Sequence, residues 1–343
     1  RGRNVVVAID GLSPVSAANA LYKGIDIVDK VLPRLTNLTA GKVATDYRIR
    51  VKYKDRELAA IPIAINVSTQ DMLRYAKDSD NRKQQIEYLK KALIVSGEDV
   101  KIRKMLGDAY LRSNMVDAAI NEYRIFLKAN PSDMSALSAL AKCYAQKGAY
   151  DQAIKAYDQI IRNNPRDGAV YANLAVAQGH LGQWEKAVAN YRESLKIMPG
   201  VASVRFKYGE ALEKTGKMPE AIEQYRLAQA AEPSSVAIRS ALAAALLKTK
   251  KYDDAIGQYK EIIRMDPKNA AGHANLGIAY GAKGANSQEI ECYRKAVSLA
   301  PKDPVLLYNL ATALEKAGQW KEAQKIFRKA WELKPGDSAA ALH

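Results

Sequence analysis

The sequence predicts a mainly α protein, an α-solenoid that is preceded by a small N-terminal α+β module. Two observations predict the solenoid. Proline recurs at a fixed spacing over roughly the last two thirds of the 343 residues, and apolar residues between the prolines follow helical spacing. The module is predicted from strand-like runs of apolar and alternating residues within residues 1–66.

Residues 1–66 are predicted to form the α+β module in the order β-α-β-β. The run 4–9 is near-continuously apolar, residues 14–32 carry apolar side chains at helical spacing, and residues 47–53 alternate apolar with charged side chains. A further apolar strand is predicted at 58–67. The resulting three-stranded sheet would have open edges unless another element covers them.

Residues 67–99 are predicted to form a degenerate repeat that caps the array. Its helices are expected at Thr69–Lys77 and Asn81–Leu93, and Gly97 stands where a proline would be. Terminal repeats are atypical because one of their faces has no neighbour. At the other end, residues 338–343 are expected to begin a further helix and stop.

The repeat itself is 34 residues long. Units that end two residues after each proline fill residues 100–337 with seven repeats. The prolines are Pro131, Pro165, Pro199, Pro233, Pro267, Pro301 and Pro335. The eighth position is always Gly or Ala, and the twentieth is Ala in every repeat but one. The twenty-fourth position is occupied by Tyr123, Tyr157, Tyr191, Tyr225, Tyr259, Tyr293 and Phe327.

Each unit is predicted to fold as a pair of helices. In the second repeat they are Met134–Gln146 and Tyr150–Arg162, separated at Gly148, which suits the end of a helix. Small residues at the eighth and twentieth positions let the two helices approach closely, and the proline ends the second helix. One such pair cannot bury its own apolar face, so the repeats must stack.

This combination of columns resembles the tetratricopeptide-repeat family over residues 100–337. The resemblance implies a right-handed superhelix in which the first helix of each repeat lines a concave groove. It also implies that this groove is the usual peptide site, with the sixth and ninth positions of each repeat pointing into it.

The resemblance supplies candidate groove residues. Asparagines at the sixth position resemble part of an asparagine ladder that bonds to a peptide backbone. Lys142, Asn173 and Lys207 resemble part of a two-lysine clamp for a C-terminal carboxylate, although Ser138 and Ser203 depart from its pattern. A less specific polar groove and a groove without a peptide site are the alternatives. The candidate partner-binding residues are Lys142, Asn173, Lys207, Asn275, Tyr308 and Asn309.

Glu289 is the exception at the twentieth position, where the other repeats have alanine. The local explanation is a capping box, in which Asn286 caps the helix and Glu289 returns a bond to it. A functional kink is the alternative. Looser packing is expected in this sixth repeat.

Composition excludes several classes of protein. The net charge of +16 is spread along the chain, with +5 in residues 1–66 and +11 in residues 100–337, which predicts a solvated surface and no nucleic acid. An acidic partner is the alternative explanation of the charge. No apolar run approaches the length of a membrane span. The first residue is Arg1, so either a leader has been removed or the chain is a fragment. An extracytoplasmic location after removal of a leader is favoured, and a cytoplasmic location is the alternative.

Motifs of catalysis and metal binding are missing from the sequence. Two cysteines and three histidines are scattered, so neither a zinc site nor any cofactor is predicted. Carboxylates are expected at solvated helix positions. Cys143 and Cys292 are expected to pack inside separate repeats, too far apart for a disulfide.

The sequence therefore predicts a non-catalytic scaffold that binds a protein or peptide through the concave groove. The alternative is a structural subunit that assembles with its own copies through the N-terminal strands and the open ends of the solenoid.

Overall fold

The computed structural model describes residues 68–334 together with the backbone of five strands within residues 1–67. The strands are β1 (Val5–Ile9), β2 (Leu38–Thr39), β3 (Lys42–Val43), β4 (Tyr47–Tyr53) and β5 (Arg56–Ile63). The chain divides into two compact units, residues 1–163 and residues 164–343.

The strands of the first unit form an antiparallel sheet in the order β1-β4-β5. Val7 lies opposite Val51 in one pair, and Val51 lies opposite Ala59 in the other. The strands β2 and β3 pair separately. The helix predicted at 14–32 lies outside the described residues, so the β-α-β-β order stays a prediction.

Sixteen helices occupy residues 69–333 of the described chain. In the first unit they are α1 (Thr69–Asp78), α2 (Arg82–Val95), α3 (Val100–Arg112), α4 (Val116–Ala129), α5 (Met134–Gln146) and α6 (Tyr150–Asn163). In the second unit they are α7 (Gly168–His180), α8 (Trp184–Ile197), α9 (Ala202–Lys214), α10 (Met218–Ala231), α11 (Val236–Lys248), α12 (Tyr252–Met265), α13 (Ala270–Lys283), α14 (Asn286–Leu299), α15 (Pro304–Lys316) and α16 (Trp320–Leu333).

Each 34-residue repeat contains two helices, and we call the first the A helix and the second the B helix. In the second repeat the bounds of both helices lie within one residue of those predicted from the sequence. Polar side chains cap most A helices, as Asp167 does by accepting from the amides of Ala169 and Val170. Position 15 of each repeat adopts the left-handed conformation that ends the A helix. These residues are Asn114, Gly148, Gly182, Gly216, Lys250, Gly284 and Gly318.

Small residues and tyrosine build the core of each repeat. The alanines at position 20 are buried, including Ala187 and Ala221 at 0% exposure. The ring at position 24 packs over position 8 of its own repeat. A Cβ on Gly209 would lie only 2.8 Å from Cδ1 of Tyr225, so glycine is required there. This close packing is the reason for the eighth- and twenty-fourth-position columns.

The capping box predicted for the sixth repeat is wrong. Helix α14 begins at Asn286 itself, its N-cap is Ala285, and no side chain caps it. Glu289 is instead buried, with its carboxylate 3.4 Å from Nζ of Lys316 in the seventh repeat. Glu122 is also buried, 2.8 Å from Arg103. These two carboxylates correct the expectation that the acidic side chains lie at solvated positions.

The two cysteines are free and buried in the structure. Cys143 is fully enclosed in the first unit, whereas Cys292 of the second unit is 9% exposed. Their burial agrees with the sequence-based expectation of two small core residues.

Candidate functional site

A cavity of about 590 Å³ opens along the A helices of repeats 3 to 5, within the second unit. We call it the groove cavity. Helices α7, α9 and α11 supply most of its wall, and the B helices α8 and α10 close it from beneath. It is lined by Val176, Gly179, His180, Trp184, Tyr191, Lys207, Glu210, Glu213, Lys214, Tyr225, Ala241 and Lys248.

The spacing of the repeat brings these side chains to one surface. Positions 6, 9 and 13 of an A helix are three and four residues apart, so they lie on the same helical face. Repetition of this face in successive repeats makes a continuous wall. Its members at these positions are Val176, His180, Lys207, Glu210, Lys214, Ala241 and Lys248.

The aromatic part of the wall depends on a glycine. Trp184, the first residue of α8, lays its ring against Gly179 of α7. A Cβ at Gly179 would lie 2.9 Å from Cζ3 of that ring. The glycine therefore allows a half-buried indole to face the cavity beside the exposed side chain of Val176.

Two ion pairs hold charged side chains around the cavity. Nζ of Lys207 lies 2.8 Å from Glu210 on the same helix, and Nζ of Lys248 lies 2.8 Å from Glu213 of the preceding repeat. Burial and the negative charge of Glu213, to which its hydroxyl is hydrogen bonded, raise the pKa of Tyr225 far above its usual value. The phenol therefore stays protonated and donates to the carboxylate.

Lys214 has no ion pair among the residues that the structure describes. Lys207 and Lys248 are each balanced by a carboxylate, so Lys214 carries the remaining positive charge of the cavity. An exposed ammonium beside apolar side chains suits a ligand with a carboxylate near an apolar group.

Comparison with known proteins identifies the repeat. One model of the tetratricopeptide repeat matches residues 104–168 and 172–236, and a second matches residues 206–335. Together they span more than half of the chain. The chain belongs to the tetratricopeptide-repeat (TPR) family. No curated protein matches it as a relative.

Solved TPR structures share the fold at low sequence identity. The C-terminal part of a TPR protein from Cytophaga hutchinsonii is 18% identical, with a TM-score of 0.59, over 68% of this chain and 96% of that one. A TPR protein from Parabacteroides merdae is 15% identical, with a TM-score of 0.53, over 71% and 96%. YrrB, described as a TPR protein with an unusual peptide-binding site, is 17% identical, with a TM-score of 0.46, over 55% and 97%.

The candidate TPR clamp residues are not gathered in one cavity. Lys207 lines the groove cavity, whereas Asn173 is partly exposed on α7 and is not among the lining residues. Lys142 is exposed on α5 in the first unit. The groove cavity is built from residues of the second unit alone.

The remaining candidates lie further along the second unit. Asn275 on α13 and Asn309 on α15 are partly exposed. The ring of Tyr308 packs edge-on against Phe327, with ring centres 5.5 Å apart, so this tyrosine contributes to the core of the seventh repeat.

Sequence reasoning missed Trp184, Lys214 and Lys248 as lining residues. The signal for the two lysines lay in position 13, which is His, Lys and Lys in repeats 3 to 5. Only positions 6 and 9 had been assigned to the groove, because the family resemblance names those two. Trp184 belongs to a B helix and reaches the cavity only through the gap at Gly179.

Clusters of metal ligands and long apolar helices are both lacking in the described part of the chain. Among those residues, His, Cys, Asp and Glu form no group of three or more that is arranged to hold a metal ion. Their helices also include none with the length and apolar character of a membrane span.

Proposed function

We infer that this TPR chain is a non-catalytic scaffold that binds a partner protein or peptide through the groove cavity. The observation that carries this function is the juxtaposition of Trp184 and Val176 with the unpaired ammonium of Lys214 in one open cavity. The TPR fold supports the same class of function.

Binding would combine burial of an apolar side chain with a single charged contact. An apolar side chain of the partner packs against Trp184 and Val176, which is worth about 1.5–3 kcal/mol when burial is complete. A neighbouring carboxylate accepts a hydrogen bond from Lys214. Ion pairs with Glu210 and Glu213 orient Lys207 and Lys248, so this wall of the cavity is preorganised for binding.

Selection from a phage-displayed library of random peptides tests this function without a known partner. We expect peptides selected on the wild-type protein to carry an acidic residue next to an apolar one. Titration calorimetry should show that Val176→Asp and Lys214→Glu each lower the affinity for these peptides at least tenfold. Both side chains are exposed, so neither change should unfold the protein.

Lys196→Ala is the matched control. Lys196 is an exposed lysine of α8 that pairs with Glu193 and does not line the cavity. Peptides that bind all three variants equally would place the site elsewhere, and a library that yields no binding peptide would contradict the peptide-binding function.

Self-assembly is the second candidate function, with another copy of this chain as the partner. Large apolar side chains are exposed in the last described repeat, and β1 is an outer strand of its three-stranded sheet. The exposed side chains are Val305, Trp320, Trp331 and Leu333. Light scattering across a concentration series should show growing polymers that deletion of residues 1–9 abolishes. A monomer at every concentration excludes this candidate and leaves the scaffold.

A further inference from the structure

A second cavity, of about 690 Å³, lies between α12, α13 and α14 in the second unit. We call it the repeat 5–6 cavity. It shares no lining residue with the groove cavity. Its floor contains Ile263, Leu276 and Tyr280, and Cys292 forms part of its wall.

The first reason for this cavity is a change at positions 4 and 23. In repeat 4, Arg205 bonds to Gln224 at 3.0 Å, and in repeat 5, Arg239 bonds to Gln258 at 2.8 Å. Each guanidinium also donates to the carbonyl oxygen of the preceding repeat's proline, at 3.0 Å. The long arginine and glutamine side chains thus connect the two helices of their own repeat with the end of the preceding repeat.

Repeat 6 has shorter side chains at these two positions. His273 stands at position 4, with Nε2 3.2 Å from the carbonyl oxygen of Pro267, and Cys292 stands at position 23. The contact with the proline is kept, but the guanidinium and the amide are missing. Both residues line the repeat 5–6 cavity, which occupies the space that they leave.

The second change removes an ion pair between repeats. Arg226 at position 25 pairs with Asp254 at position 19 of the next repeat, 3.6 Å away. Arg294 pairs in the same way with Glu322, at 2.9 Å. Between these two, position 25 is Lys260 and position 19 of the next repeat is the neutral Gln288.

Lys260 therefore lacks the carboxylate partner that Arg226 and Arg294 have at the equivalent position. It forms no ion pair among the described residues, and its Nζ lies 5.9 Å from the centre of the Tyr280 ring. Lys295 also lines the cavity without an ion pair in the described part of the chain, whereas Glu291 is the one lining carboxylate. The cavity has an apolar floor and an excess of positive charge at its edge.

We propose that the repeat 5–6 cavity binds a small amphiphilic carboxylate, meaning a carboxylate joined to an apolar chain or ring. The carboxylate pairs with Lys260, in place of the missing acid at position 19. The apolar part lies over Ile263, Leu276 and Tyr280 and beside Cys292. This site is independent of the groove cavity, so the proposed peptide binding does not depend on it.

Octanoate is a suitable probe, and titration calorimetry on the full chain measures its binding. A dissociation constant on the order of 1 mM is expected for a ligand of this size. Octanol lacks the carboxylate and acetate lacks the apolar chain, so each should bind at least fivefold more weakly. Equal binding of octanol would contradict recognition of the carboxylate.

Gln288→Glu supplies the missing acid and is the decisive variant. The new glutamate should pair with Lys260, as Asp254 and Glu322 pair with their arginines. The affinity for octanoate should therefore fall at least tenfold. Ser287→Glu adds the same charge at an exposed neighbouring residue outside the cavity lining and should change binding less than twofold. Similar affinities for wild type and Gln288→Glu would overturn the proposal.

Cys292 locates the ligand, with Cys143 as an internal reference. Burial raises the pKa of both thiols to about 11, so both are protonated at neutral pH. During alkylation followed by mass spectrometry, Cys292 should react faster than the fully enclosed Cys143. Saturating octanoate should slow the alkylation of Cys292 at least fivefold and leave the alkylation rate of Cys143 unchanged. An unreactive Cys292, or one that octanoate does not protect, would also overturn the proposal.

Discussion

The third and sixth repeats place a glycine at the same position and use it differently. Position 12 is Gly179 in repeat 3 and Gly281 in repeat 6, whereas other repeats have Leu, Ala or Glu there. In repeat 3 the indole of Trp184 lies against the glycine and lines the groove cavity. In repeat 6 the carboxyl group of Glu289 occupies the equivalent space, and a Cβ at Gly281 would lie 2.6 Å from its Cδ.

The difference shows that the space left by a glycine at position 12 accepts an aromatic ring in one repeat and a carboxylate in the other. Glu289 replaces a buried alanine, and Gly281 removes the side chain that would collide with it. Lys316 of the next repeat then lies 3.4 Å from the carboxylate and donates to the carbonyl oxygen of Gly281 at the same distance. The buried carboxylate of Glu289 therefore has a positively charged partner, without which its burial would be costly.

The largest effect is expected when repeat 3 receives the carboxylate without the space that it occupies in repeat 6. Ala187→Glu places a charge at a fully buried position 20. Lys214 stands at the position equivalent to Lys316. The indole of Trp184, however, already occupies the space beside Gly179 that the carboxyl group uses in repeat 6. We expect a loss of roughly 3–5 kcal/mol in the free energy of unfolding, measured by urea denaturation.

Ala189→Glu is the matched control, because Ala189 is exposed on the same helix. It should change stability by less than about 0.5 kcal/mol. If Ala187→Glu unfolds at the same urea concentration as the wild type, the register assigned to the repeats is wrong.

The next largest effect is expected at Gly281. Gly281→Ala forces a Cβ into the Glu289 carboxyl group, and the collision outweighs the better helix propensity of alanine, for a net loss of about 1–2 kcal/mol. With Glu289→Ala already in place, the same change should stabilise the protein by about 0.5–1 kcal/mol. A double-mutant cycle in urea measures this reversal, and additive effects would show that the two residues are not coupled.

The repeat framework was predictable from sequence because its physical causes recur. Proline, the small residues and tyrosine return every 34 residues, and each return reports the same packing. Glu289 was visible as an exception, but its explanation was not. A capping box uses residues three apart on one helix, whereas the real partners, Gly281 and Lys316, lie on two other helices.

The family pattern places Lys207 on the wall of the groove cavity, but it does not name most of the residues that line this cavity. Lys207 follows from the family pattern at position 6 and lines the cavity. Trp184 lies on a B helix, and its approach to the A helix depends on Gly179, which no pattern within one helix reveals. Lys214 differs from Lys248 only by lacking an ion pair, and such pairs depend on three-dimensional distances.

The turns between the two helices of repeats 3 and 6 should lose the same stability when their glycine is replaced. Equal losses would confine the difference between these repeats to position 12. Gly182 and Gly284 both have positive φ at position 15. Gly182→Ala and Gly284→Ala should each lose about 1 kcal/mol in urea denaturation, because alanine is strained in this conformation. Lys250 occupies the same conformation in repeat 5, so Lys250→Gly should gain about 0.5 kcal/mol. Unequal losses at the two glycines would mean that the turns also differ.

The smallest effect on stability is expected at Gly179. Gly179→Ala pushes against the outer edge of a half-buried indole, which has room to move toward the groove, unlike the buried Glu289. The gain in helix propensity offsets the remaining strain, so the free energy of unfolding should change by less than about 0.5 kcal/mol. The displaced ring would alter the apolar wall, and peptides selected on the wild type should bind at least fivefold more weakly. A stability loss as large as that of Gly281→Ala would show that Trp184 is held as rigidly as Glu289, and the contrast between the two repeats would fail.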